Sequence, residues 1–130
     1  MAKAIYKLAA MKLDKSEVTK LDAMRVKKYY SYFIKQTRCK TFEDMKQQRY
    51  APIEHLFDNH EYCDSKWCHR KSEIENGILE STKGKGYYRN KNNPFDMKVY
   101  TQIYEAYSPY VTDERLRECF HEYDTKKMKH

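Results

Sequence analysis

The sequence predicts an all-α protein in which several short helices pack on one long helix around a zinc-binding His/Cys loop, with few or no strands. Three observations predict this fold. Apolar residues recur at helical spacing, no period-two run of β-branched residues occurs, and histidines and cysteines cluster between residues 55 and 68. We expect a single domain over residues 1–130.

The composition indicates a folded domain with a small core. Of the 130 residues 40% are hydrophobic and 35% are charged, yet thirteen are Tyr, five Phe and one Trp. Disordered chains are poor in aromatic residues. No apolar run is long enough to span a membrane, and Lys3, Lys7 and Lys12 interrupt any signal-peptide core. We therefore expect a nuclear or cytoplasmic protein that is not secreted.

Two helices are expected in the first third of the chain. The segment 2–13 predicts a short helix with its apolar residues on one side. The clearest long helix follows, from about residue 16 to residue 38, because Val18, Leu21 and Phe33 recur at helical spacing.

Two short helices should precede the His/Cys loop. Thr41 and Asp44 resemble a capping box, which predicts a helix that ends near residue 50. Pro52 suits the first turn of a second helix, which we expect to end at Asp58-Asn59.

Three more helices are expected after the loop. Ser72 and Glu75 resemble another capping box, which predicts a helix to about residue 82. Apolar residues spaced four apart predict a helix from about Phe95 to before Pro109. Thr112 should cap a last helix to about residue 123, followed by a tail over 125–130.

The His/Cys loop carries the clearest chemistry of the sequence. Two imidazoles and two thiolates are the donor set that zinc takes in tetrahedral structural sites. Residues five apart on a continuous helix point about 140° apart, so the first two ligands can share a metal only if the helix ends between them. We predict one zinc ion bound by His55, His60, Cys63 and Cys68.

Other ligands and an open site are the alternatives. His69 could replace His55, and Cys119 or His121 could supply a distant ligand. Glu61 and Asp64 are acids beside the loop, as a catalytic zinc would require, but four protein ligands close the coordination sphere. We expect no catalytic residues.

A basic stretch at about residues 83–93 reads as a flexible loop that binds nucleic acid. Glycines allow close approach to phosphates, cations neutralise them and tyrosines stack on bases. The formal charge of +7 favours such a partner, although a solvated basic loop has the same composition. The candidate residues are Lys83, Lys85, Tyr87, Tyr88, Arg89 and Lys91, assisted by Arg25, Lys27 and Lys28.

Three stretches of the chain resemble Mutator-like transposases of eukaryotic mobile elements. They are RVKKYYSYFIKQ (25–36), APIEHLFDNHEYCDSKWC (51–68) and RLRECFHEYDT (115–125). The resemblance implies a helical insertion with His/Cys ligands, taken from an enzyme that cuts and joins DNA on a ribonuclease-H-like sheet. The sheet and its catalytic carboxylates have no counterpart here.

The resemblance and the residues together predict a non-catalytic, zinc-binding module that binds DNA of any sequence. A protein of another class is the alternative: a structural or adaptor subunit, recruited from such an element, that docks on a larger protein assembly through its tyrosine-rich faces. An enzyme with an open zinc site is the third reading.

Overall fold

The described part of the chain is helical, as the sequence predicts. The computed structural model describes residues 17–84 and 86–128, and no strand occurs among them. Its helices, in chain order, are α1 (Lys20–Thr37), α2 (Phe42–Gln47), α3 (Ala51–Leu56), α4 (His69–Glu75), α5 (Pro94–Tyr107), a 3-10 turn (Ser108–Tyr110) and α6 (Asp113–Met128). Among these helices, none has both the length and the apolar character needed to cross a membrane.

Helix α1 is the long helix on which the others pack. Thr19 caps it, since the Thr19 hydroxyl accepts the backbone N–H of Asp22 and the Asp22 carboxylate accepts that of Thr19. The inner face of α1 buries Val26, Tyr29 and Phe33. The predicted long helix is confirmed, with its start at Lys20 rather than residue 16.

Helices α2 and α3 begin where the sequence predicts. Thr41 and Asp44 form both hydrogen bonds of a capping box at the start of α2, and Pro52 lies in the first turn of α3. All six residues of α3 are buried, because this short helix packs against α1. It thereby brings His55 into the interior.

Helix α4 contradicts the capping box predicted at Ser72. The helix begins at His69, because the Cys68 sulfur caps it by accepting the N–H of Lys71. It ends at Glu75, because Gly77 adopts a left-handed φ of 77° and turns the chain back. The predicted end near residue 82 is therefore wrong.

Helix α5 confirms the predicted period of four for its inner face. Val99, Ile103 and Tyr107 are fully buried, whereas Phe95, which heads the same series, is 53% exposed. Thr112 accepts the N–H of Arg115 at the start of α6, and α6 runs to Met128, beyond the predicted end. The predicted helix over 2–13 lies outside the described residues.

The core lies where α1, α2, α3, α5 and the start of α6 meet. The core is small and consists of aliphatic and aromatic side chains. Its largest fully buried residues are Phe33, Met45, Ile53, Leu56, Ile103, Tyr107 and Leu116. The loop over 59–68 lies beside this core. The side chains that pack within it are mainly histidines, cysteines and aromatic residues.

Candidate metal centre

Four buried side chains converge at the end of α3. His55 belongs to the last turn of α3, His60 and Cys63 lie in the following loop, and Cys68 caps α4. One donor atom from each of the four lies within 4.8 Å of the others, so the group can hold a metal ion. These are the four residues that the sequence predicts as zinc ligands.

The end of α3 explains why His60 returns towards His55. Asp58 adopts a left-handed φ of 62°, which aspartate tolerates better than most residues. The N–H of Asp58 donates to the His55 carbonyl at 3.2 Å and that of Asn59 to the Glu54 carbonyl at 2.9 Å. This Schellman-type ending reverses the chain after one residue, and the predicted helix stop at Asp58-Asn59 is confirmed.

The spacing of the donor atoms matches a tetrahedron around zinc. Zinc–ligand bonds of about 2.3 Å to sulfur and about 2.0 Å to nitrogen give edges of roughly 3.3 Å between nitrogens and roughly 3.5 Å between nitrogen and sulfur. The two Nδ1 atoms, of His55 and His60, lie 3.2 Å apart. The four Nδ1–Sγ distances are 3.2, 3.3, 3.4 and 3.9 Å.

Polar groups just outside the four ligands hold two of them in place. The Nε2 atom of His60 lies 2.7 Å from the Asp58 carboxylate, so an Nε2–H donates there and leaves Nδ1 free to bind a metal. The Cys68 sulfur accepts the N–H of Lys71 at 3.3 Å. Each contact fixes the direction of a donor lone pair towards the centre.

A hydrogen bond between the two thiols shifts their pKa values in opposite directions. A hydrogen bond from Cys63 lowers the pKa of Cys68 far below its ordinary value, against the effect of burial, and both imidazoles add to the lowering. The same bond and burial raise the pKa of Cys63. A divalent cation bound here would favour the thiolate form of both cysteines.

Aromatic rings cover the centre. The Tyr29 ring centroid is 4.1 Å from that of His55, and the Trp67 centroid is 5.1 Å from it. Tyr88 meets both imidazoles edge-on, at 5.6 Å from His55 and 4.9 Å from His60. Trp67 adjoins Cys68 in the sequence. Tyr88 reaches the site from a distant loop, and sequence analysis assigned it only to nucleic-acid binding.

Of the alternative ligands, His69 and Cys119 do not join this centre. His69 Nε2 lies 2.9 Å from the Thr82 hydroxyl, and Cys119 lies beside the Tyr30 hydroxyl at 4.0 Å. The side chain of His121 falls outside the described residues. Of the neighbouring acids, Asp64 accepts the N–H of Lys66, and no carboxylate belongs to the four-residue group within the described chain.

Two of the candidate nucleic-acid residues, Arg89 and Lys91, form ion pairs inside the fold and make up a first set. Arg89 donates to both carboxylate oxygens of Asp22 at 2.8 Å and to Asp96 at 2.6 Å. Lys91 pairs with the buried carboxylate of Glu54 at 2.5 Å. These two cations are thus already neutralised by partners inside the protein.

The second set forms the cationic cluster, by which we mean Arg25, Lys28 and Lys83. The Arg25 guanidinium lies 4.4 Å above the Tyr87 ring and donates to the Tyr87 carbonyl at 2.7 Å, and the Lys83 ammonium lies 5.4 Å from the same ring. Lys28, one turn beyond Arg25, lies over Tyr32. None of the three pairs with an acid in the described part of the chain.

The remaining candidates in the basic region fall outside both sets. Tyr88 packs on the metal centre, Lys27 is exposed on α1, and Lys85 lies outside the described residues.

Comparison with protein-family models, with curated proteins and with solved structures found no match to this chain.

Proposed function

We propose that this chain is a helical module built around one structural zinc ion, bound by His55 and His60 through Nδ1 and by Cys63 and Cys68 through sulfur. The tetrahedral spacing of the four donor atoms supports this proposal most directly. Two imidazoles and two thiolates in a tetrahedral set favour zinc over the octahedral, oxygen-preferring cations.

A structural role follows from the number of ligands and from their location. Four protein ligands leave no open position for water or substrate, so the proposal excludes catalysis at the metal. The ligands come from the end of α3, the loop and the start of α4, and zinc joins these three segments beside a small core. The ion should therefore contribute directly to the free energy of folding.

Metal titration tests this proposal. We expect one cobalt(II) ion per chain with a tetrahedral absorption spectrum, displaced by one zinc ion, and a melting temperature that falls sharply on chelation. Cys63→Ser and Cys68→Ser should lose the spectrum, and Cys119→Ser, a thiol outside the centre, is the matched control. A metal-free protein with the parent's melting curve would contradict the proposal.

Nucleic-acid binding is the second candidate function, favoured by the cationic cluster. Arg25, Lys28 and Lys83 keep their full charge for an outside partner, which an overall charge of +7 would attract. We propose duplex DNA of any sequence as the partner, in a chain derived from the helical insertion of a Mutator-like transposase. The adaptor subunit remains the alternative, with a protein assembly in place of DNA.

Salt-dependent DNA binding tests the second candidate. Alanine at Arg25, Lys28 and Lys83 should weaken binding to all sequences alike and reduce the salt slope by roughly 2 to 3, since each phosphate contact contributes about 0.9. The control carries alanine at Lys20, Lys35 and Lys98, which are exposed and change the net charge equally. If the parent protein does not bind DNA at low salt, the alternative function as an adaptor subunit is favoured.

We also propose that the chain alone neither cuts nor joins DNA. Two-metal phosphoryl chemistry needs carboxylates held on a rigid scaffold around two ions. Incubation with supercoiled DNA and magnesium or manganese should leave the DNA intact. Nicking that survives repurification and disappears on Asp64→Asn would contradict this proposal.

A further inference from the structure

The metal centre and the cationic cluster are connected by two chains of aromatic contacts. The first runs through the loop before Arg89. Tyr88 packs edge-on against both histidine ligands, and its ring centroid lies 4.9 Å from that of Tyr87. Tyr87 in turn carries Arg25 above its ring and accepts the Arg25 hydrogen bond through its carbonyl.

The second chain runs from the loop before α4 to α1. Trp67 lies 5.1 Å from His55 and stacks on Tyr32 at 5.5 Å, and Tyr32 lies under the Lys28 ammonium at 5.9 Å. Each of the three cations therefore lies over a tyrosine ring. A single further ring, Tyr88 or Trp67, separates that tyrosine from the histidines of the metal centre.

We propose that metal binding at the His55/His60/Cys63/Cys68 centre holds the cationic cluster in its phosphate-binding arrangement, so that nucleic-acid affinity is regulated by metal occupancy. This inference rests on the proposed zinc and nucleic-acid functions. A bound ion fixes the two imidazoles, and the imidazoles fix Tyr88 and Trp67 from one side. Without the ion, the four donor atoms repack or separate, and both aromatic chains lose their support.

The dependence on metal is partial, because part of the loop has a separate anchor. The N–H of Arg89 donates to the Leu56 carbonyl at 2.9 Å, and its side chain is fixed by Asp22 and Asp96. These bonds do not involve a metal ligand. Arg25 and Lys28 also keep their backbone positions on α1. We therefore expect the loss of about two phosphate contacts, which at low salt lowers the affinity at least about fivefold.

The first measurement compares zinc-loaded and zinc-free protein on the same DNA. Fluorescence anisotropy with a labelled duplex of mixed sequence is recorded at several salt concentrations, with circular dichroism to establish that both forms are helical. We expect the zinc-free form to bind at least about fivefold more weakly, with a salt slope lower by roughly 2. Equal affinity and equal slope in two helical forms would overturn the inference.

The second measurement removes the aromatic contact between the metal centre and the cationic cluster while the metal stays bound. It tests the inference even if the zinc-free form unfolds. Tyr88→Ala retains all four ligands, so it should give the parent's tetrahedral cobalt spectrum and yet bind DNA like the zinc-free form. Tyr88→Phe keeps the ring against the histidines and should bind DNA like the parent. Parent-like DNA affinity in the Tyr88→Ala variant overturns the inference.

The possible outcomes distinguish failure of this inference from failure of the zinc and nucleic-acid proposals on which it rests. Absence of the cobalt spectrum in the parent refutes the zinc proposal. A normal spectrum without DNA binding refutes the nucleic-acid proposal and this inference together. A normal spectrum with metal-independent DNA binding refutes this inference alone.

Discussion

Replacement of Arg89 should destabilise the fold, because its side chain joins the starts of two helices, α1 and α5. Its guanidinium donates to Asp22 at the start of α1 and to Asp96 at the start of α5, and its backbone N–H donates to Leu56 at the end of α3. Asp22 is only 4% exposed. Arg89→Ala would leave that buried carboxylate without its counter-ion.

The expected loss is about 3 kcal/mol in the free energy of unfolding. Removal of one partner of a buried ion pair costs about 3–5 kcal/mol. We expect the lower end, because one oxygen of Asp22 still accepts from the N–H and the hydroxyl of Thr19. Arg89→Lys keeps the charge but not the two parallel hydrogen bonds, so it should lose about half as much. Lys27→Ala, on the exposed side of α1, should change the value by less than about 0.5 kcal/mol.

Urea unfolding of zinc-loaded protein measures these differences in the free energy of unfolding. Circular dichroism and the fluorescence of Trp67 monitor the transition. In thermal unfolding, a loss of about 3 kcal/mol should lower the melting temperature by about 10 °C in a domain of this size. If Arg89→Ala unfolds with the parent's free energy, Arg89 does not stabilise the fold, and it returns to the candidate nucleic-acid residues.

Three further substitutions have expected outcomes. Asp58→Ala should weaken zinc binding about 10- to 100-fold in competition with a chromophoric chelator, because His60 loses its acceptor, whereas Asp58→Asn should lose less. Burial raises the pKa of Glu54, but hydrogen bonds from Lys91 and neighbours outweigh it and lower the pKa overall, so the ionised carboxylate stabilises the fold. The urea stability of Glu54→Gln should therefore fall below the parent's at neutral pH, and this difference should shrink as pH falls through the folded pKa. Gly77→Ala should cost about 1 kcal/mol in the same assay, because φ there is 77° and an L side chain is strained, and an unchanged midpoint would contradict this account.

The helices could be predicted where their signals are local. The capping box of Thr41 and Asp44, the proline in the first turn of α3 and the period of four along α5 each act within one or two turns of helix, and all three are present in the structure. The prediction failed at α4, where a cysteine sulfur serves as the cap. Cysteine is not among the residues that usually cap a helix, so the sequence carries no signal for this start.

The convergence of His55, His60, Cys63 and Cys68 could be predicted because they lie within fourteen positions of one another, and a short loop brings them together whatever the rest of the chain does. The helix stop between His55 and His60 is likewise a local feature, set by Asp58 and Asn59. The ring that covers both imidazoles could not be predicted. Tyr88 lies 28 residues after His60 in sequence and reaches it only when the loop folds back.

The sequence by itself determined which residues carry charge, and the tertiary structure decided which of those charges are available. Lys83, Arg89 and Lys91 look alike in one basic stretch. Packing places Arg89 against Asp22, 67 positions away, and Lys91 against Glu54, 37 positions away, whereas Lys83 meets a tyrosine ring. Such pairings depend on how distant helices meet, and a buried carboxylate requires a cation beside it wherever that cation lies in the sequence.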